Sequence, residues 1–247
     1  FLSAALLLPS MAADDILLIT SADLKASWKP FADWKQKPGK SVKLVTTDEI
    51  SKAYQGVDIQ EKIRLCVREH IDKNSTRWVI LGGDSLPGGK GIVPDRDTMH
   101  VNSWGKVADI PTDIYYLSPT NWDADGDGVY GEFKDDAKAI TYPDGEVGLG
   151  RIPVRTAEDV AAYTAKVMSY ESNYPKGEFG NSITYTCAVP GAYAKVRRSW
   201  DDHVSKALKN GKLSRFFLNK TPWDKKKPGD FALSNANVVD LINSEKI

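Results

Sequence analysis

Ile16-Leu17-Leu18-Ile19-Thr20 is a run of four apolar residues closed by a threonine, with no polar residue at alternate positions. A strand with one wet face alternates, whereas a strand buried on both faces does not, so this run is expected to be a central strand of a parallel sheet. Two comparable runs follow, Val42-Lys43-Leu44-Val45 and Trp78-Val79-Ile80-Leu81. Between the first two lies a helical pattern from about Asp23 to Gln36, stopped by Pro38-Gly39. Between the second and third, Ile59, Ile63, Cys66, Val67 and Ile71 recur at helical spacing along one stripe, which makes Cys66 a core-facing helix residue. Strands separated by helices imply parallel βαβ units with right-handed crossovers.

From Gly82 to about Asp144 this alternation gives way to a Gly/Pro/Asp-rich stretch with one extended piece, Asp113-Ile114-Tyr115-Tyr116-Leu117. Insertions of that length are uncommon unless they carry function. Alternation resumes with a strand over Glu146 to Ile152 and a helix from Thr156, opened by a capping-box pattern with Asp159 in the Glu/Gln position. Val160, Tyr163, Val167 and Tyr170 are expected on its buried face. Further strands are expected at Ile183 to Val189 and Arg215 to Leu218, with helices at about Tyr193 to Lys209 and from about Asn235. The last helix has no strand after it, so Ile247 is expected to be a truncation point.

The 247 residues suffice for one large α/β domain or two small ones. With 41% hydrophobic and 27% charged residues the composition is that of a globular protein. Lys+Arg and Asp+Glu stand at 33 each, so no net field draws the chain to nucleic acid. Phe1 to Leu8 is apolar and runs into Pro9-Ser10-Met11-Ala12, which reads as the remnant of a secretory signal peptide over residues 1–12. That implies a secreted, periplasmic or cell-surface protein, with no membrane span in the mature chain because no apolar run reaches about 20 residues. Two cysteines, Cys66 and Cys187, make no disulfide framework.

The most specific local pattern is Asp123-Ala124-Asp125-Gly126-Asp127-Gly128-Val129. Carboxylates at loop positions 1, 3 and 5, Gly at 6 and a backbone carbonyl at 7 are what a structural Ca²⁺ requires, since the ion takes hard oxygen ligands converging through a sharp turn. Asp123, Asp125, Asp127 and the Val129 carbonyl are the expected ligands, with Asp136 or its neighbour Asp135 closing the shell because position 12 is Lys134. The alternative is an acidic, Gly-rich surface turn. Gly82-Gly83-Asp84 with Gly88-Gly89-Lys90-Gly91 does not match a phosphate loop in spacing, and no helix opens there. His70 and His203 read as solvated helix residues, and His100 has no identifiable partner. Cys187, inside a strand, reads as a small buried hydrophobe. There is neither a Gly-x-Ser-x-Gly elbow nor a His-Glu-x-x-His helix.

Taken in order, Trp78 to Asp84, Thr112-Asp113-Ile114-Tyr115-Tyr116, Asn121 to Glu132, and Glu146-Val147-Gly148-Leu149-Gly150-Arg151-Ile152-Pro153-Val154 resemble the gingipain-like cysteine peptidases, peptidase family C25. The resemblance implies a caspase-like α/β fold of two adjacent, mainly parallel subdomains in three α-β-α layers, over residues 13–140 and 141–247, the second truncated. It implies an endopeptidase acting on protein or peptide substrates through a Cys/His pair beyond Ile247. Of that apparatus only the acid orienting the histidine maps here, at Glu146, with Asp84 and Asp113 as candidates for the substrate cleft. On that basis this chain alone is expected to be inactive. A calcium-stabilised binding module at the cell surface is the competing reading.

Overall fold

The computed structural model describes residues 15–88, 90–102, 105–132, 135–141, 145, 147–173, 182–187, 206, 212–217, 231–232, 234, 236–237 and 239–240. The expected signal remnant, the helix at 193–209 apart from Lys206, and His203 lie outside the described residues.

The opening apolar run forms β1 (Ile16–Thr20), and all five of its residues are buried. β1 leads into a short helix α1 (Ala22–Lys25), a 3₁₀ turn at Ala26–Trp28 and α2 (Lys29–Gln36). The expected single helix is broken because Pro30 has no N–H to donate, so it sits in the first turn of α2, where none is needed. β2 (Val42–Thr46) then pairs parallel to β1. The sequence reading passed over α3 (Thr47–Ala53), although its start is signalled: Thr46 and Glu49 form a reciprocal capping box. α4 (Ile59–Asn74) buries Ile63, Cys66 and Val67 as expected, together with His70, only 9% exposed and therefore not the solvated residue expected. The His70 Nδ1 lies 3.0 Å from the Asn74 amide.

β3 (Trp78–Gly82) lies parallel to β1 on its other side. The following stretch contains two hairpins that sequence reading missed. β4 (Ser85–Leu86) pairs with β5 (Lys90–Gly91), and β6 (Arg96–Asn102) pairs antiparallel with β7 (Gly105–Thr112) through an irregularity between Thr98 and His100. Ile114–Leu117 is a 3₁₀ turn and not the extended segment expected. The turn sends three successive side chains inward: Tyr115 against Trp122, Tyr116 with its hydroxyl donating to the Pro94 carbonyl, and Leu117 into the core.

β8 (Gly148–Ile152) pairs parallel to β3, giving the sheet order β2-β1-β3-β8. The reading that opened a second subdomain at residue 141 thus meets a strand that joins the first sheet. The compact units are Phe1–Ser169 and Tyr170–Ile247. α5 (Ala157–Ser172) follows, and its capping box forms with Asp159: Thr156 Oγ1 accepts the Asp159 N–H at 3.2 Å and Asp159 Oδ2 accepts the Thr156 N–H at 3.0 Å. Val160, Tyr163 and Val167 pack inward, but Tyr170 is 48% exposed. The second unit contains β9 (Ser182–Cys187), β10 (Lys212–Phe217) and β11 (Phe231–Ala232), all parallel, in the order β11-β10-β9.

Side chains on the first sheet divide by parity. Leu17 and Ile19 pack with Ile50, Ile63, Cys66 and Val67 from α3 and α4, and Leu18 packs with Leu24, Trp28, Phe31 and Val160 from α1, the 3₁₀ turn, α2 and α5. Helices therefore cover both faces, which is the expected three-layer α/β arrangement. Each fully buried Leu or Ile contributes roughly 1.5–3 kcal/mol relative to exposure. Thr20 closes the carboxyl end of β1: its hydroxyl donates to the Gly82 carbonyl at 2.6 Å and accepts the Trp28 indole N–H at 3.1 Å. Gly82 is required by space, because a Cβ there would lie 2.9 Å from the Trp28 ring. Among the described residues no helix is long and apolar enough to cross a membrane.

Candidate functional site

The acidic loop is closed at its root by Trp122, a buried residue with φ of 62°, whose indole N–H donates to Ser118 Oγ at 2.8 Å and whose carbonyl accepts the Gly131 N–H at 2.8 Å. Within the loop the carboxylates draw the backbone inward. Asp123 accepts the N–H groups of Gly126 (2.8 Å) and Gly128 (3.3 Å), and Asp125 accepts that of Asp127 at 3.3 Å. Gly126 and Gly128 hold φ of +79° and +83°, which a side chain would strain. Asp136 reaches in from the far side, 1% exposed, accepting the Ala124 N–H at 2.6 Å and the Glu132 N–H at 3.1 Å.

One carboxylate oxygen from each of Asp123, Asp125 and Asp136 lies within 4.8 Å of the others. Asp127, also expected as a ligand, is not in this group; its Oδ1 accepts the Val129 N–H at 2.8 Å. Among the described residues no lysine or arginine pairs with the trio. A hard-oxygen donor set with uncompensated negative charge, one member deeply buried, fits a metal ion.

Beneath the loop lies Arg96, 4% exposed. Its guanidinium stands 3.7 Å from the Tyr130 ring centroid and 4.6 Å from that of Tyr115, and it holds both oxygens of Asp58 at 2.8 Å. Asp58 is also the N-cap of α4, accepting the Glu61 N–H at 2.8 Å. Arg64 and Arg68 of α4 donate to the carbonyls of Pro119 (3.1 Å) and Leu117 (3.3 Å), fastening the same segment from the helix side. Sequence reading missed these arginines, whose partners lie tens of residues away along the chain.

A second feature is an open cleft of about 420 Å³ along β8, lined by Asp113, Ile114, Leu117, Gly145, Val147, Leu149, Gly150 and Arg151. Among the described residues β8 pairs only with β3, so its other edge has no strand on it. Asp113 lines this cleft, and Arg151 holds it by two hydrogen bonds while donating to the carbonyls of Gly83 (2.8 Å) and Val93 (2.5 Å). Asp84 is not a lining residue: it is 6% exposed, paired with Arg155 Nε at 2.5 Å. Glu146 lies outside the described residues, between the two cleft residues Gly145 and Val147.

Cys66 and His70, one helical turn apart, border a separate cavity of about 300 Å³ with Tyr54, Lys43 and Glu49. Burial pushes the Cys66 thiol up to about 11, so it is protonated at neutral pH and unsuited to attack a carbonyl. Cys187 falls on β9.

The sequence profile of peptidase family C25 matches residues 11–244. The crystal structure of the Arg-specific cysteine proteinase gingipain R (RgpB) superposes with a TM-score of 0.56 at 15% identity, covering 96% of this chain and 45% of that one. A complex of the Porphyromonas gingivalis RgpB pro- and mature domains gives 0.54 at 15% identity, over 93% and 45%, and the structure of another protease gives 0.51 at 15% identity, over 85% and 41%. The chain thus spans less than half the length of these solved structures. Comparison with curated protein sequences gives no match. The profile match over nearly the whole length, with the same fold in three solved chains, means that this chain belongs to peptidase family C25.

Proposed function

We propose that this chain is the scaffold portion of an exported cysteine endopeptidase whose thiol and imidazole lie beyond Ile247. Family membership over residues 11–244 carries the reading. It is consistent with the chemistry of Cys66, whose buried, protonated thiol is unsuited to attack a carbonyl. The Cys thiolate, its proton held by the histidine, attacks the peptide carbonyl; the C–N bond breaks as the imidazolium protonates the leaving amine, and water then hydrolyses the thioester to release the acid and the thiol. Glu146 would accept a hydrogen bond from the imidazole, fix its tautomer and stabilise its cationic form. The cleft beside β8, flanked by Gly145 and Val147, is where we expect the peptide and that imidazole to approach.

The ion in this reading is structural Ca²⁺, held by Asp123, Asp125 and Asp136. When bound it would supply a fixed positive charge that offsets the loop's carboxylates, which also accept backbone N–H groups of the loop. The test of the catalytic role is Glu146→Gln in a protein extended through the downstream Cys and His. A fall in kcat/KM on the order of a hundredfold or more, with KM little changed, is expected. Unchanged kcat/KM would remove Glu146 from the mechanism.

A further inference from the structure

We propose that the cleft beside β8 takes an uncharged, apolar side chain of an extended peptide whose main chain adds to the open edge of that strand. The inference rests on the peptidase reading and goes beyond it by naming the class of residue that the cleft selects. Successive residues of a strand turn their N–H and C=O groups to opposite edges. The Gly148 N–H points toward β3, donating to the Arg77 carbonyl at 2.9 Å, and two residues past β8 the Val154 carbonyl accepts the Asp84 N–H at 3.1 Å from the same side. Leu149 and Arg151, at the alternate positions, therefore present their main-chain groups to the outer edge, which among the described residues pairs with no strand. An extended peptide satisfies such groups by joining as a further strand, and its side chains then fall beside those of the strand it joins.

The surface waiting for that side chain is apolar. Val147 and Leu149 form one wall and Ile114 and Leu117 of the 3₁₀ turn the other, in a cleft of about 420 Å³. The charged residues among the described lining are Asp113 and Arg151, and they neutralise each other. Both Asp113 oxygens accept from Arg151, which directs its other donors to the carbonyls of Gly83, Val93 and Pro94. A basic side chain entering here gives up its hydration and meets no unpaired carboxylate among these residues. An acidic one meets a guanidinium whose donors are already engaged. An aliphatic or aromatic side chain gives up no hydrogen bonds and gains by leaving water.

The test uses the protein extended through the proposed downstream His and Cys, with peptides in which Leu, Phe, Arg and Asp are exchanged at each position flanking the scissile bond. One position is expected at which Leu or Phe exceeds Arg and Asp in kcat/KM by about tenfold or more. Leu149→Glu sets an unpaired carboxylate on the cleft wall; at that position it should lower kcat/KM for Leu about tenfold and raise it for Arg, with preferences elsewhere unchanged. Leu149→Ala, the milder change, should weaken Leu and Phe at that position about threefold or more without a gain for Arg. Hydrolysis with no apolar preference at any position, or with preferences that both variants leave unchanged, overturns the inference and leaves the peptidase reading standing. Hydrolysis of no peptide in the panel overturns both.

Discussion

Arg151 and Asp113 are joined side on, Nε to Oδ2 at 2.9 Å and a terminal nitrogen to Oδ1 at 2.6 Å, across 38 residues of sequence. The same guanidinium donates to the Gly83 and Val93 carbonyls, so one side chain ties β8, the end of β3 and the 3₁₀ turn into a single wall of the cleft. A lysine offers no planar fork for this set. Arg151→Lys is therefore expected to lower unfolding free energy by about 1–3 kcal/mol, since a carboxylate and two carbonyls lose partners in a mostly buried setting. Urea denaturation measures it; a change within about 0.5 kcal/mol would show the wall is held otherwise.

Removing the acidic loop's ligands separates ion binding from local scaffolding. Asp125 is exposed and makes one long backbone contact, so Asp125→Asn should leave the ion-free melting temperature nearly unchanged while abolishing its rise with Ca²⁺. Asp136 is buried and holds two backbone N–H groups, so Asp136→Ala should destabilise by about 1–3 kcal/mol even with chelator present. Thermal unfolding with Ca²⁺ and with chelator distinguishes the two; identical curves for the parent in both conditions would count against the ion.

Thr20 links three elements through one hydroxyl. Thr20→Val keeps the shape but strands the Trp28 N–H and the Gly82 carbonyl in the core, at an expected cost of about 1–3 kcal/mol. Chemical denaturation reads the loss directly.

The capped end of α4 makes stability depend on acid. Burial pushes the Asp58 carboxyl up, but the Arg96 hydrogen bonds and the Glu61 N–H outweigh it and hold the group below the usual carboxylate range. A depressed value in the folded state means the contribution is full above the unfolded value of about 3.9 and is lost as pH falls through the folded value. The stability gap between the parent and Asp58→Asn should thus be widest at neutral pH and close below about pH 4. A gap that persists unchanged in acid would contradict this.

The parallel sheet was legible because β1 and β3 are apolar without alternation, and α4 because its stripe is regular. What escaped is what packing decides. The 3₁₀ turn at Ile114–Leu117 has strand-like β-branched and aromatic composition, yet three consecutive residues had to point inward. The β6–β7 hairpin offers only short apolar signals, Met99 and Val101 on β6 and Val107 and Ile110 on β7, among polar residues, Gly and Pro. The acidic loop was readable because its carboxylates recur at fixed spacing, whereas which of them converge was not, since Asx turns use the same residue types. The arginines that fasten the loop are separated from their partners by tens of residues, and only the folded chain brings them together.

Peptide hydrolysis by two proteins assayed together, this 247-residue chain and one extended through the proposed downstream His and Cys, tests the central claim most directly. The expected result is activity in the longer protein alone, abolished by iodoacetamide. Equal, alkylation-sensitive activity in the shorter chain would contradict the account, for the nucleophile would then lie within residues assigned here to the scaffold.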